Sequence, residues 1–411
     1  MMQPATTLSI ELQQKVDVVA AGNLAGFSLL RKCSRCCAFL KSDEIMSLHD
    51  RKRGIEAIQI DLTQPLEEQG PFDVIIHKLS DLMLEAAQED SRSQQLLQRF
   101  QDYVDSHPRT VLLNPLPAMS RLADRFQSYK LIQELQTLDQ GNHFSNPPYV
   151  ELATEDQQQI LHLIKERQLS FPLICKTRVA QGSSSHNMAL IFSEDGLQDI
   201  SLPCVLQSFI NHNAVLYKVF VVGRSHFVVR RPSLKNFAIG KSERETIFFN
   251  SHEVSKPESC SHLTERDEQD NIPSGPSDSI IKSISRCLQM SLGLSLFGVD
   301  IIVDSTSGKL AVIDINAFPG YEDVPEFFST LLDHMETLLG EQEKNLNGAG
   351  ASVDQPAPLL WGHRPQDSPP NSLMKDVWMA KESPVGKRPL DSACFQELLT
   401  QSPIHCQSSC D

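Results

Sequence analysis

Nowhere does an apolar run approach the ~18 residues that a membrane-spanning helix needs. Met1 to Ile10 shows no basic stretch followed by an apolar one, which predicts no signal peptide. Cations are in the minority, 37 Lys and Arg against 52 Asp and Glu, for a net charge of −15. A nucleic-acid binder is ordinarily basic or carries a long basic stripe, so that class is excluded. Aromatic residues make up 6% of the chain, and both tryptophans, Trp361 and Trp378, stand near its end. The ten cysteines, at 33, 36, 37, 175, 204, 260, 287, 394, 406 and 410, build no disulfide framework. Cys33 and Cys36 form a CxxC, but no further pair at matching spacing completes a zinc site. Free thiols imply a reducing compartment, the cytosol. Familiar nucleotide signatures are missing too. There is no GxGxxG and no protein-kinase catalytic loop, and Gly240-Lys241-Ser242 ends like a P-loop with Lys235 where glycine is required.

What is present is ordinary globular composition over 411 residues, 40% apolar and 22% charged, enough for two domains. Residues 1–50 show no clean period; Lys15 to Val19 is a candidate strand. Ala57 to Leu62 alternates as a strand does, and Asp73 to His77 is a short buried strand after a Gly-Pro turn. Leu96, Leu97, Phe100, Tyr103 and Val104 fall at helical spacing, and His107-Pro108 stops that helix. Thr110 to Leu113 is another strand. This order predicts a small α/β domain, residues 51–117, with a parallel sheet. A second domain, 118–340, opens with one helix over 118–138 and holds a helix over 156–167. Its strands are Phe171–Lys176, Met188–Phe192, Val205–Phe209, a hairpin Lys218–Arg231, Gly298–Val303 and Leu310–Ile315, with helices at 280–292 and 325–339. From 341 to 411 no periodicity survives, and eight prolines fall in 351–411, which predicts a disordered tail that could bind an unidentified partner.

The chemistry concentrates in two clusters. Asp314 and Asn316 project from one face of a strand, because residues two apart share a face. A short turn at Ser305–Lys309 pairs that strand with the one carrying Asp300. Carboxylates and an amide carbonyl are hard oxygen donors, suited to Mg²⁺ better than to zinc. Their neighbours are almost all apolar, so polar groups here need partners. The second cluster is cationic. Lys176 ends an apolar strand and leads into the loop Gln181-Gly182-Ser183-Ser184-Ser185-His186, a lysine and small-residue loop fit to clamp phosphate. If the hairpin closes at Arg224-Ser225, Lys218 faces Arg231, with Ser233, Lys235, Lys241 and Arg244 extending the positive region. Like charges opposed across a ladder favour an anion between them.

From Arg51 to about Leu339 the chain resembles the inositol 1,3,4-trisphosphate 5/6-kinase family. The resemblance rests on His77-Lys78-Leu79-Ser80-Asp81, Asp124-Arg125, Cys175-Lys176-Thr177-Arg178-Val179-Ala180, Gln207-Ser208-Phe209-Ile210-Asn211-His212, Arg231-Pro232-Ser233-Leu234-Lys235-Asn236 and Asp314-Ile315-Asn316-Ala317-Phe318-Pro319-Gly320-Tyr321, all in order. It implies a mixed α/β and α+β architecture, an ATP-grasp fold behind an N-terminal Rossmann-like α/β domain. It implies a monomeric enzyme using ATP, Mg²⁺ as two ions, and inositol polyphosphates. By resemblance Arg125 and Lys176 meet ATP phosphates, and Gln207 to Lys218 line the adenine side. Ser233, Ser251 and Ser255 complete the nucleotide site. His186, Lys218, Asn316, Lys78 and Gly320 meet the inositol phosphate, and Asp300, Asp314 and Asn316 hold Mg²⁺. Lys176, Arg231 and Asp314 are the catalytic candidates. The chain departs from the family at Gln181, where a histidine is usual, and in residues 1–50. There the family's lysine-rich turn finds no counterpart beyond the isolated Lys15, Lys32 and Lys41. Two other readings share the nucleotide and metal residues: an ATP-grasp carboxylate–amine ligase, and an ATP-binding protein without turnover.

Overall fold

The computed structural model describes residues 18–23, 55–138, 144–259, 261–266, 274–321 and 323–348. All fall within the first of two units, Met1–Asp367; the second, Ser368–Asp411, lies outside them. The CxxC segment, Lys15, Lys32, Lys41, both tryptophans and the tail from residue 349 onward also lie outside the described residues.

The chain opens with strands β1 (Val18–Asn23), β2 (Ile55–Gln59) and β3 (Val74–His77), helices α1 (Ser80–Ala87) and α2 (Ser91–Ser106), and strand β4 (Val111–Leu113). The Asp90 carboxylate starts α2 by accepting from the Ser93 amide at 2.7 Å. These strands form one sheet in the order β2-β1-β3-β4. It is mixed, not parallel: β1 runs antiparallel to both β2 and β3, and only β3 and β4 are parallel. Parallel neighbours need a crossover, which α1 and α2 supply. Alternation of apolar residues reports which face a residue occupies, and says nothing of strand direction.

Next come α3 (Leu116–Ala123) and α4 (Arg125–Leu138), where one helix was expected. Asp124 breaks it. Its backbone is extended, at φ −105 and ψ 113, and forms a bridge with Val179. Its carboxylate is 1% exposed and takes both Nε and Nη2 of Arg178, the latter at 2.8 Å. A paired, hydrogen-bonded buried charge overrides helix periodicity here.

The chain continues through β5 (Phe144–Ser145), β6 (Tyr149–Leu152), α5 (Gln157–Glu166), β7 (Leu173–Thr177), β8 (Asn187–Ile191), β9 (Cys204–Ser208), β10 (Val215–Val222), β11 (Ser225–Pro232) and β12 (Ile247–Asn250). Then follow α6 (Ser251–Val254), α7 (Asp278–Leu292), β13 (Leu296–Val303), β14 (Leu310–Ala317) and α8 (Phe327–Gly348). Helix α8 thus runs past Gly340, beyond the expected start of the tail. Two five-stranded sheets result, β12-β8-β7-β9-β6 and β11-β10-β13-β14-β5. The first packs α5 against one face through Ile160, Ile164, Leu173, Ile191 and Leu206. The second shares a core with the N-terminal sheet and α8, built from Val74, Ile76, Leu113, Phe220, Leu296, Leu331 and Met335.

Asn114 ties the N-terminal sheet to β13. Its Nδ2 donates to the Leu296 carbonyl at 2.7 Å, and its Oδ1 accepts from the Ser295 and Leu296 amides at 3.0 and 2.9 Å. Its own carbonyl lies 2.7 Å from Nε2 of His77. Burial lowers the pKa of His77 to about 4, and that of His212 also to about 4. Both therefore fold as neutral imidazoles. The unfolded chain takes up their protons below about pH 6.5, so the stability they contribute is complete above that pH and lost as pH falls toward about 4. Near pH 5.5 each should cost about 1.4 kcal/mol. Chemical denaturation between pH 7.5 and 5.5 should show the loss, and His212→Gln should flatten it. An unchanged slope in the variant would refute the assignment.

Candidate active site

Between the two five-stranded sheets lies a cavity of about 1010 Å³. The register of β10, β13 and β14 builds one wall. Asp300 pairs with Asp314 on one side and with Lys218 on the other. Directly paired residues share a face, so the two carboxylates and the ammonium project together. Asn316, two residues beyond Asp314, joins them and pairs with Gly298. A Cβ at Gly298 would sit 3.1 Å from Pro319 Cγ, so a side chain there would press on the Pro319 ring. Lys218 Nζ approaches Asp300 at 3.6 Å. The pKa of Asp300 is nonetheless raised, first by burial and then by Asp314, against the opposing pull of Lys218.

The register slips between Asp300 and Ile301, leaving Ile313 as an extra residue on β14. Such a bulge takes a carbonyl out of the ladder and re-aims it. The Ile313 carbonyl accepts from Lys176 Nζ at 2.9 Å and from the Tyr129 hydroxyl at 3.2 Å. Lys176 comes from β7 in the opposite sheet and is 4% exposed. Burial is the larger cause that lowers its pKa to about 8, with Asp314 acting the other way.

The hairpin β10–β11 differs from expectation. It turns at Gly223-Arg224, so Val222 pairs with Ser225, Lys218 with Val229, and Arg231 with Leu216. Gly223 has φ +56, and a Cβ there would meet His334 at 2.2 Å; both require glycine at the turn. The register is shifted by two residues, which preserves the face. Lys218 and Arg231 therefore share one face of the hairpin, displaced along it and not opposed. Arg231 is 8% exposed and pairs with Asp323.

The third wall is the loop after β7. It forms a tight turn at Ser183–His186, with the Ser185 amide bonded to the Gly182 carbonyl at 3.2 Å, so that N–H is engaged inside the loop. Arg125 stands behind it. Its guanidinium donates to the carbonyls of Thr177, Val179 and Ser185 at 2.7, 3.0 and 3.1 Å. Arg125 is 2% exposed and does not line the cavity, contrary to the expected phosphate contact. Every other expected site residue lines the cavity: Lys78, Lys176, His186, Gln207, Lys218, Arg231, Ser233, Ser251, Ser255, Asp300, Asp314, Asn316 and Gly320, with Gln181 beside them.

One lining residue, His252, carried no signal in the sequence, and a second, His212, was legible only as the end of the Gln207–His212 motif. His252 stands with its ring centroid 5.6 Å from that of His186, and it lowers the pKa of His186, second only to burial. His212 directs Nδ1 at the Ile210 carbonyl, 2.6 Å away, and Nε2 at the Ser233 hydroxyl, 2.7 Å away. With Nδ1 protonated, Nε2 accepts from Ser233 and turns that oxygen's lone pairs outward. Neither histidine sits in a repeat or at a telling spacing; only folding brings them to the wall.

The donor set fits a hard divalent cation. Three oxygen-bearing side chains share one sheet face, and the half-buried carboxylate pair has Lys218 and Lys176 nearby to offset it. Among the described residues no three His, Cys, Asp or Glu side chains converge, so the set consists of two carboxylates and the Asn316 amide. Among them, too, no helix is long and apolar enough to cross a membrane.

Comparison with known proteins agrees with this geometry. Residues 25–119 match the model of the inositol 1,3,4-trisphosphate 5/6-kinase pre-ATP-grasp domain, and residues 138–337 that of the ATP-grasp domain of the same kinase. Inositol-tetrakisphosphate 1-kinase of Xenopus laevis is 50% identical over 362 residues, 87% of this chain and 90% of that protein. The Danio rerio protein of the same name is 55% identical over 295 residues, covering 72% of this chain and 74% of its own. Among solved structures, the D-alanine–D-alanine ligase of Bacillus anthracis aligns at 14% identity and a TM-score of 0.46, over 74% of this chain and 92% of that one. The chain belongs to the inositol 1,3,4-trisphosphate 5/6-kinase family, with a pre-ATP-grasp segment followed by an ATP-grasp domain.

Proposed function

We propose that this protein is an ATP-dependent kinase that moves the γ-phosphoryl group of ATP to ring hydroxyls of inositol tris- and tetrakisphosphates. One observation carries the reading: a single cavity joins the Asp300–Asp314 pair to the cations Lys78, Lys176, Lys218 and Arg231, with His186 beside them. That is more cationic side chains than one nucleotide needs, and it suits a second ligand bearing several phosphates. A carboxylate–amine ligase would use the same nucleotide and metal residues but has no need of the surplus.

Asp300, Asp314 and Asn316 would hold Mg²⁺, which when bound neutralises phosphate charge. Lys176 and the face of β7 and β9 take the nucleotide, with Gln207, Ser233, Ser251 and Ser255 around it. Lys78, His186, Lys218, Asn316 and Gly320 take the inositol phosphate, and His252 extends that contact beside His186. Arg125 acts from behind, holding the 182–186 loop through the Ser185 carbonyl and the chain leading into it through Thr177 and Val179. Positioning and charge balance supply the catalysis: the sheet face orients the acceptor hydroxyl, while lysine and arginine offset charge on the phosphoryl oxygens. Among the described residues no side chain beyond the carboxylate pair is placed as a strong base, and a loose transition state needs little proton removal before transfer.

A kinase assay with ATP, Mg²⁺ and a panel of inositol tris- and tetrakisphosphates tests the reading. Phosphorylation of at least one is expected; coupling of a carboxylate to an amine with no inositol phosphate turnover would reverse it. Within that assay His186→Ala should raise KM for the inositol phosphate about ten- to a hundredfold and leave KM for ATP within about twofold. The opposite split would move His186 to the nucleotide.

A further inference from the structure

Tyr129 lies on α4 and is fully buried, at 0% exposure. Its ring packs against Phe126 and Val205 and edge-on to Tyr149, as a core residue does. Its hydroxyl, however, sits under two residues of the cavity wall. Lys176 Nζ donates to it at 2.7 Å. The hydroxyl is in turn placed to donate to Gln207 Oε1 at 3.0 Å or to the Ile313 carbonyl at 3.2 Å.

Counting donors shows what this does. An ammonium carries three N–H bonds. Lys176 gives one to Tyr129 and one to the Ile313 carbonyl, so the third is left for the cavity that Lys176 lines. Gln207 is held by its oxygen, which leaves its Nε2 pointing away. That nitrogen is buried without a protein partner, in a side chain 2% exposed that lines the same cavity. A buried amide donor without an acceptor is costly, and a bound ligand can supply the acceptor.

We propose that Tyr129 is a positioning residue for the nucleotide, aiming the third N–H of Lys176 at a phosphate oxygen and the Gln207 amide at a second acceptor on the same ligand. The inference rests on the nucleotide reading above. A phenol suits the task better than a carboxylate would. A buried carboxylate beside Lys176 would form an ion pair and cancel the charge meant for phosphate, whereas a neutral phenol orients without neutralising. Burial, and Asp314 after it, push the Tyr129 pKa well above its ordinary value, so the phenol stays protonated.

The test is a double-mutant cycle on the full chain, read by calorimetric ADP affinity in the presence of Mg²⁺. Tyr129→Phe keeps the ring, including the Lys176 ammonium 5.4 Å from its centroid, and removes the hydroxyl. It should weaken ADP binding about tenfold or more in the otherwise native chain and by about threefold or less in a Lys176→Met background, where only the Gln207 arm remains to be lost. KM for the inositol phosphate should move less than about twofold. Equal losses in both backgrounds would make Tyr129 a packing residue only, and unchanged affinity in Tyr129→Phe would likewise overturn the proposal. Should Tyr129→Phe fail to fold, Gln207→Met keeps the volume while removing the amide. It should then weaken ADP binding about fivefold or more, and native affinity there would overturn the proposal. Because ADP affinity is measured without acceptor, absence of inositol phosphate turnover would reject the functional reading and leave this inference standing.

Discussion

Asp314→Ala is expected to lower turnover by about three orders of magnitude, or ~4 kcal/mol of barrier, with the fold intact. The carboxylate lies directly across the ladder from Asp300, and Asn316 follows on the same face. Removing it strips one of two anionic donors from the set that fits Mg²⁺. The same change relieves repulsion within a half-buried like-charged pair, which adds to burial in raising the pKa of Asp300. Thermal stability of the ligand-free variant should therefore stay level or rise while activity falls, a combination that general unfolding cannot produce. Asp304→Ala is the control. Asp304 holds the β13–β14 turn through the Thr306 amide at 2.9 Å and the Ser307 hydroxyl at 2.5 Å, away from the cavity wall. Its loss should leave turnover near native. Near-native activity of Asp314→Ala at saturating Mg²⁺ would sink the metal assignment.

Asn114→Ala should destabilise the protein by about 3–5 kcal/mol, measured as the shift in urea midpoint at constant slope. Asn114 is 0% exposed, and its side chain satisfies the Ser295 and Leu296 amides together with the Leu296 carbonyl. Alanine removes the partner of both amides, while the Leu296 carbonyl keeps the Phe318 amide at 3.0 Å. The same residue's carbonyl meets His77, which ends β3 immediately before Lys78. Loosening it should thus also raise KM for the inositol phosphate while sparing ATP. A stability change under about 1 kcal/mol would show that water replaces the amide.

Strands with a repeating apolar pattern were legible because burial of one or both faces leaves a mark on composition. β3, β7, β8, β9, β13 and β14 fall within a residue or two of where the pattern puts them. The expectation failed where a long-range bond competes with a local preference. Asp124 interrupts a helical pattern because Arg178, distant in sequence, captures its carboxylate. The hairpin register slipped by two because Gly223 takes the left-handed turn position. Short edge strands such as β6 and β12 carried too few residues to show a period.

The sequence alone determined the identity of the chemistry. Oxygen donors two apart on an apolar strand, a strand lysine before a small-residue loop, and ordered family motifs are local patterns, and local patterns survive in one dimension. It also determined the face each of those residues occupies, since strand pleating depends only on parity. The tertiary structure alone decided what touches what. It set Lys218 against Asp300, turned the Arg125 guanidinium from phosphate to loop carbonyls, brought His252 beside His186, and placed the Tyr129 hydroxyl under Lys176. Those contacts join residues 47 to 82 positions apart in the chain, and they are settled by three-dimensional proximity and burial, quantities that spacing does not encode.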